Sequence, residues 1–265
     1  MRALEVLSYS RHGSMKWRRS QNYIFAAHTN LVGLAAAELS QAALAFPLTF
    51  VQEAGHWSLC ALLGLFSDQN LYVDGQGGWR GAYVPANLRA HPFHLGWDGP
   101  SGVTLCVDEA SGLITQDGTG EAIFDGTGGL VRPVADVWIF LAQTAKSILS
   151  LEKVCSQLAE ARLLVPWAIT LETPGGGLTV PGLHRLDEAA LSGLDDDAFT
   201  QLRRTGALPV AYAQLLSMNN LTQLAQLAQA RVQAEAAERA KAEVKPMIML
   251  PEDNTIDWDW SKVGR

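Results

Sequence analysis

The sequence predicts an α+β fold, with a mixed, largely antiparallel sheet core packed by helices and a helical extension at the C-terminus. Three observations carry this. From Pro47 to Glu109, short apolar runs alternate with Gly-rich and Asp/Asn-rich turns, the pattern of strands joined by tight loops. From Pro133 the apolar residues change to helical spacing and keep it over several turns. The chain has 265 residues, 48% of them hydrophobic, which is enough to bury a core and is near the upper end of what one domain carries.

Each element follows from local chemistry. Residues 1–22 have no sustained periodicity and read as an irregular arm anchored by Tyr9 and Trp17. Tyr23 to Val32 has the β-branched and aromatic content of a strand. Ala35 to Ala45 is Ala/Leu-rich and predicts a helix that Pro47 stops. The runs 47–51 and 57–65 follow as apolar segments joined by a turn at Gly55. Asp74-Gly75 marks a hairpin, which Gly77 and Gly78 lengthen into a bulged loop. Pro85 suits the first position of a short helix. Alternation over 102–109 turns Val103, Leu105 and Val107 to the core and Thr104, Cys106 and Asp108 the other way.

Residues 110–131 are dominated by Gly, Asp and Thr and read as loops with a short strand at 123–125. Pro133 opens the longest helix, whose stripe is Val134, Val137, Leu141, Ile148, Leu151, Cys155 and Leu158. Residues 164–172 form a strand candidate turned by PGGG at 174–177. Asp195 is placed to N-cap a helix with acids in its first turn, arginines in its last and Gly206 just beyond. A final helix carries Tyr212, Leu215, Leu221, Leu224 and Ala228 on one stripe, which fades past Ala230. The chain thus divides into an arm (1–22), an α+β domain (23–228) and an exposed helix with an acidic tail holding Trp258 and Trp260 (229–265).

Composition excludes several classes. A net charge of -7 and a pI near 5.3 leave no basic face for duplex nucleic acid. The basic residues nearest an aromatic, Lys16, Arg18 and Arg19 around Trp17, read as a solvated arm. Cys60, Cys106 and Cys155 are widely spaced without a C-x-x-C pair, so no disulfide framework or thiolate zinc site follows. Arg18-Arg19 gives only a faint twin-arginine pattern, and no run approaches the roughly 18 apolar residues that span a bilayer. The expectation is a soluble cytoplasmic protein.

Few motifs carry chemistry. DGTGE (117–121) and DGTGG (125–129) suggest a calcium loop, but counting from Asp117 puts Ala122 at position six and Gly128 at position twelve, so turn chemistry explains them. No G-x-G-x-x-G, phosphate loop or G-x-S-x-G is present, and no cofactor is predicted. His91 and His94 form an H-x-x-H pair that Asp98 or Asp108 could complete as a metal site. Pro92 argues against a helix there, so the pair reads first as one histidine in a turn and one near the surface. Trp57, Trp79, Trp97, Tyr72, Tyr83, Phe93 and Arg89 cluster in sequence; such residues dominate recognition surfaces and also fill cores. The tail peptide IDWDW has the form of a short docking motif.

Several separated motifs occur in order: Glu38, Ala42, Phe46 and Pro47; ALLGL with QNLYVD; GGWRGAYVPANLRAHPF; LCVDE; and IFD. With GLHRLDEAALSGLDDDAFTQLRRTGALPVAYAQLLSMNNLTQL they make the chain similar to the SapC family of bacterial proteins over residues 23–225. One departure is His91, which stands where the family tends to have an aromatic residue before Pro-Phe. The resemblance implies an accessory protein linked to surface-layer, export or peptide-modifying systems, and it implies no catalytic residues. The leading expectation is therefore a protein or peptide partner bound around Trp79, Tyr83, Arg89 and Phe93. The alternative is a peptide-modifying enzyme, metal-dependent or hydrolytic, using His91, His94 and Asp108. Self-association through 210–245 is a third.

Overall fold

The structure, a computed structural model, describes residues 4–97, 102–173 and 176–243. It separates into one compact unit, Met1–Leu227, and a second, Ala228–Arg265. Asp98, part of the PGGG turn, the IDWDW tail and the end of the 210–245 segment lie outside the described residues.

Ala54 and Gly55, both at positive φ, fold β4 (Leu48–Glu53) back onto β5 (His56–Leu62) in the register Thr49↔Cys60 and Glu53↔His56. β3 (Leu31–Gly33) pairs with the far edge of β5. On the other side β13 (Leu183–Leu186) joins β4, and β10 (Leu164–Pro166) joins β13, giving the order β10-β13-β4-β5-β3. A second sheet has the order β1-β7-β6, from Leu4–Val6, Val103–Asp108 and Phe93–Trp97. Smaller ladders join β2 (Lys16–Trp17) to β8 (Ile114–Thr115) and β9 (Glu121–Ala122), and β11 (Ile169–Thr173) to β12 (Gly176–Val180). All these pairings are antiparallel, so the α+β expectation holds.

Three local expectations need correction. Residues 4–17 are not an irregular arm: β1 pairs along β7, α1 spans Tyr9–His12, and Trp17 is 3% exposed. Strands of two or three residues are too short to show a period, and β1's partner lies far along the chain. Tyr23 to Val32 is not one strand, because Asn22 Oδ1 accepts the Ile24 N–H and Ile24–Ala26 closes a 3₁₀ turn. Along β7 both faces are covered from Leu105 to Asp108, while Val103, expected inside, is 48% exposed at the strand's open end.

The helices α2 (Leu39–Ala45) and α4 (Arg132–Glu160) form where periodicity and prolines put them. α4 buries Val134, Leu141, Thr144, Leu151, Cys155 and Leu158, a helical stripe that packs on β5 and the later helices. By length and composition this 29-residue helix also has an 18-residue window apolar enough to cross a membrane, mean hydropathy 1.3, although it holds no uninterrupted apolar run of that length. Scattered Ser, Thr, Gln and Lys hide it from a search for uninterrupted apolar residues.

Two loops share one geometry. In Asp74–Gly78 the Asp74 carboxylate accepts the Gln76 and Gly78 N–H groups, and in Asp125–Gly129 the Asp125 carboxylate accepts those of Thr127 and Gly129. Each closes a bridge, Val73↔Trp79 and Phe124↔Leu130. The fourth residue of each loop is a glycine at positive φ, Gly77 and Gly128.

After α3 (Ala86–Arg89) and α5 (Glu188–Ser192), α6 (Asp196–Thr205) begins at Asp195, whose side chain accepts the Ala198 N–H at 2.8 Å, and ends at left-handed Gly206. α7 (Ala207–Ser217) carries a buried polar pair. Gln214 accepts the Leu186 N–H at 3.0 Å and donates to the Leu48 carbonyl at 3.1 Å, while Ser217 Oγ accepts the Leu48 N–H at 3.0 Å. The β4/β13 register would place Leu48 opposite Leu186, so one side-chain amide sits between two strands where a ladder bond would otherwise run. α8 (Leu221–Glu243) buries Leu224 and is exposed over 233–239.

Candidate functional site

The aromatic motif 77–93 is fastened from inside. Glu38, 4% exposed, sits in the 3₁₀ turn before α2 and accepts three hydrogen bonds: Ala35 N–H at 2.8 Å, Tyr83 O–H at 2.8 Å and Ala86 N–H at 2.7 Å. Burial, and next the hydrogen bond to Glu38, push the Tyr83 phenol up to about 12. Trp79 donates its indole N–H to the Tyr83 carbonyl at 2.7 Å and stacks on the fully buried Tyr72. Gly81 approaches so closely that a Cβ there would lie 2.8 Å from the Trp79 indole nitrogen. Sequence reasoning named Glu38 as a motif residue but could not show that it ties three segments together.

Of the four expected recognition residues, only Arg89 is exposed. Phe93 is 1% exposed and packs edge-on to Trp17 at 5.1 Å, in a core with Leu105, Val107, Ile123 and Val134; it therefore leaves the surface set. It alternates with His94 on β6, and its face of the strand is the inward one. Trp79 and Tyr83 are half-buried and committed to the contacts above.

Arg89 instead lines a cavity of about 200 Å³ together with Trp17, Arg19, Tyr23, Phe25 and His91. Its guanidinium lies over Phe140 at 5.1 Å and over Tyr83 at 5.5 Å and donates to the Tyr83 hydroxyl at 3.1 Å. Among the described residues no carboxylate lies within ion-pair distance of Arg89. Arg19 lies over Trp17 at 5.3 Å and touches Glu121 at 3.4 Å on an open surface. A protein with net charge -7 thus presents two arginines beside aromatic rings at one small concavity. The signal in the sequence was Lys16, Arg18 and Arg19 around Trp17, read there as a solvated arm.

His91 sits in a turn as expected, closed by Phe93 N–H to Ala90 O at 2.8 Å, whereas His94 is not at the surface. The His91–Pro92 bond is cis, His91 is 8% exposed and stacks on Phe25 at 3.8 Å and 12°, and His94 is half-buried at the start of β6. His94 faces Cys106 across the ladder, which places Asp108 diagonally on the same face, and the Asp108 N–H donates to the Pro92 carbonyl at 2.9 Å. The outcome is that ligand atoms of His91, His94 and Asp108 all lie within 4.8 Å of one another. Cys106 is not part of this set: its sulfur leans along the strand over Gly96, where a Cβ would meet it at 2.4 Å. His94 also lines a larger cavity, about 430 Å³, between β3, α3 and α4.

Fold and site together define an α+β protein with a small arginine–aromatic pocket and, beside it, a histidine–carboxylate cluster. The SapC family model matches residues 7–224, and the chain belongs to the SapC family. Neither the curated proteins nor the solved structures contain a match to it.

Proposed function

We propose that the protein is an accessory binding protein that takes an acidic, aromatic-containing segment of a peptide or protein partner at the Arg19–Arg89 pocket. The observation that carries this is Arg89: a guanidinium held over two rings, with no carboxylate beside it among the described residues, at the wall of a concavity. Arginine in this setting binds carboxylates in bidentate geometry, and neighbouring aromatic surface adds affinity at little entropic cost. Trp17 and His91 form the pocket's buried back wall, and Arg19, over Trp17 and paired to Glu121 at 3.4 Å, supplies a second cation. The family resemblance supports a role alongside surface-layer, export or peptide-modifying systems. The three cysteines are free thiols, in keeping with action in a reducing cytoplasm.

Arrayed twelve-residue peptides of graded acidity, measured by fluorescence anisotropy, test the reading. Acid-rich peptides with one aromatic should bind, and Arg89→Ala should weaken them at least about tenfold, the scale of a lost hot-spot arginine. Arg19→Ala should weaken them less and with stronger salt dependence. Binding that is unchanged in the double Arg19→Ala/Arg89→Ala variant refutes the pocket as the recognition site.

A further inference from the structure

We propose that His91, His94 and Asp108 form a binding site for a divalent first-row transition metal, with three protein donors and coordination positions left open to an external ligand. This goes beyond partner binding and stands on separate observations. Two imidazoles and one carboxylate are the donor set that suits zinc, iron(II) or manganese and is too nitrogen-rich for calcium or magnesium. All three ligand atoms fall within 4.8 Å of one another without rearrangement of the backbone.

The donors are held by rigid parts. His91 is clamped flat against Phe25, His94 and Asp108 stand on paired strands, and the turn between them is closed by Phe93 N–H to Ala90 O at 2.8 Å and Asp108 N–H to Pro92 O at 2.9 Å. Asp108 Oδ1 accepts the Ala110 N–H at 3.1 Å, a second contact that orients the carboxylate beside the two imidazoles. His91 Nδ1 and His94 Nε2 are shielded from solvent, and Asp108 is 6% exposed, so a dication would be held in low dielectric beside a negative carboxylate. His91 lines the 200 Å³ pocket and His94 the 430 Å³ cavity, so the cluster adjoins two concavities through which an ion and an added ligand can arrive. Three fixed ligands with open positions are the arrangement of catalytic rather than closed structural sites.

The test uses tag-free protein freed of metal by dialysis against chelator and then titrated with Zn²⁺ by calorimetry and with Co²⁺ by visible absorption. The expected result is one equivalent bound, with cobalt d–d bands that report nitrogen and oxygen donors. His94→Ala and Asp108→Asn should each weaken binding at least about tenfold, since losing even an outer-shell partner of a ligand costs about 10–100-fold. His91→Phe keeps a ring against Phe25; it should retain the metal-free melting temperature and lose the cobalt bands. Arg19→Ala and Arg89→Ala should titrate as the unaltered chain does, which keeps this result independent of the peptide pocket. A chain that takes up no Zn²⁺, or a His91→Phe/His94→Ala variant that takes it up undiminished, overturns the proposal.

Discussion

Glu38→Ala is the most informative single substitution, because one buried carboxylate holds three donors. Removing it strands the Ala35 and Ala86 N–H groups in a site that is 4% exposed, and it frees the Tyr83 hydroxyl. Each stranded buried backbone donor costs about 1–3 kcal/mol, and the half-buried hydroxyl costs less because it can turn to water. The expected loss is therefore about 3–5 kcal/mol, a large share of a typical domain's stability. Glu38→Gln should cost about 2 kcal/mol: its best orientation sets the amide nitrogen against Ala35 N–H and keeps the other two bonds. Tyr83→Phe should cost about 1 kcal/mol, since the Ala86 bond remains. Urea unfolding followed by tryptophan fluorescence measures all three, read from the midpoint at an unchanged slope. A loss below about 1 kcal/mol for Glu38→Ala, or a larger loss for Tyr83→Phe than for Glu38→Ala, refutes the anchoring role.

Two further outcomes follow from polar groups with defined partners. Gln214→Leu should destabilise the fold by about 2–4 kcal/mol in the same urea assay, because it uncouples the Leu186 N–H and the Leu48 carbonyl inside the sheet. Gln214→Glu should be comparably harmful, since it sets a carboxylate oxygen against the Leu48 carbonyl. In acid, Asp117 is held down to about 2, first by the Thr119 hydroxyl and then by the Thr119 N–H, Asp74 is lowered by the Gly78 and Gln76 N–H groups, and Asp125 by the Thr127 hydroxyl and then the N–H groups of its loop. A depressed carboxylate stabilises the fold above its unfolded value of about 3.9 and loses that contribution as pH falls through the folded value. The slope of stability against pH between about 4 and 2 should therefore flatten when Asp74, Asp117 and Asp125 are all changed to Asn. An unchanged slope excludes these loops as its source.

Elements whose signal is local were legible in the sequence. The α4 stripe, the Asp195 cap with Gly206, the β4–β5 apolar runs and the Asp74 hairpin need only nearby residues, and each is where its spacing places it. β1 and β2 were not legible, because Leu4–Val6 and Lys16–Trp17 are extended only through partners supplied much later in the chain. The same limit governs the site. His91 and His94 are neighbours in sequence, but Asp108 reaches them only through the β6–β7 register. Arg19 meets Arg89 at one cavity through the packing of Trp17 against Phe93. Phe93 was misplaced at the surface because an aromatic beside arginine has the same composition whether it faces solvent or core.

The amide of Gln214 between β4 and β13 has a consequence for the order of assembly. Leu48 leaves the ribosome long before Gln214 and Ser217, which lie 166 and 169 residues further on. β4 and β5 can pair at once as a hairpin, whereas the seam at Leu48 is closed only when α7 arrives. A nascent chain must therefore carry an open strand end in the middle of its largest sheet until nearly the whole compact unit has been synthesised. Contacts this distant slow folding and prolong the exposure of strand edges that invite pairing with other chains. Early binding of a chaperone to β4 would answer that hazard, and truncations ending before Gln214 should aggregate rather than fold.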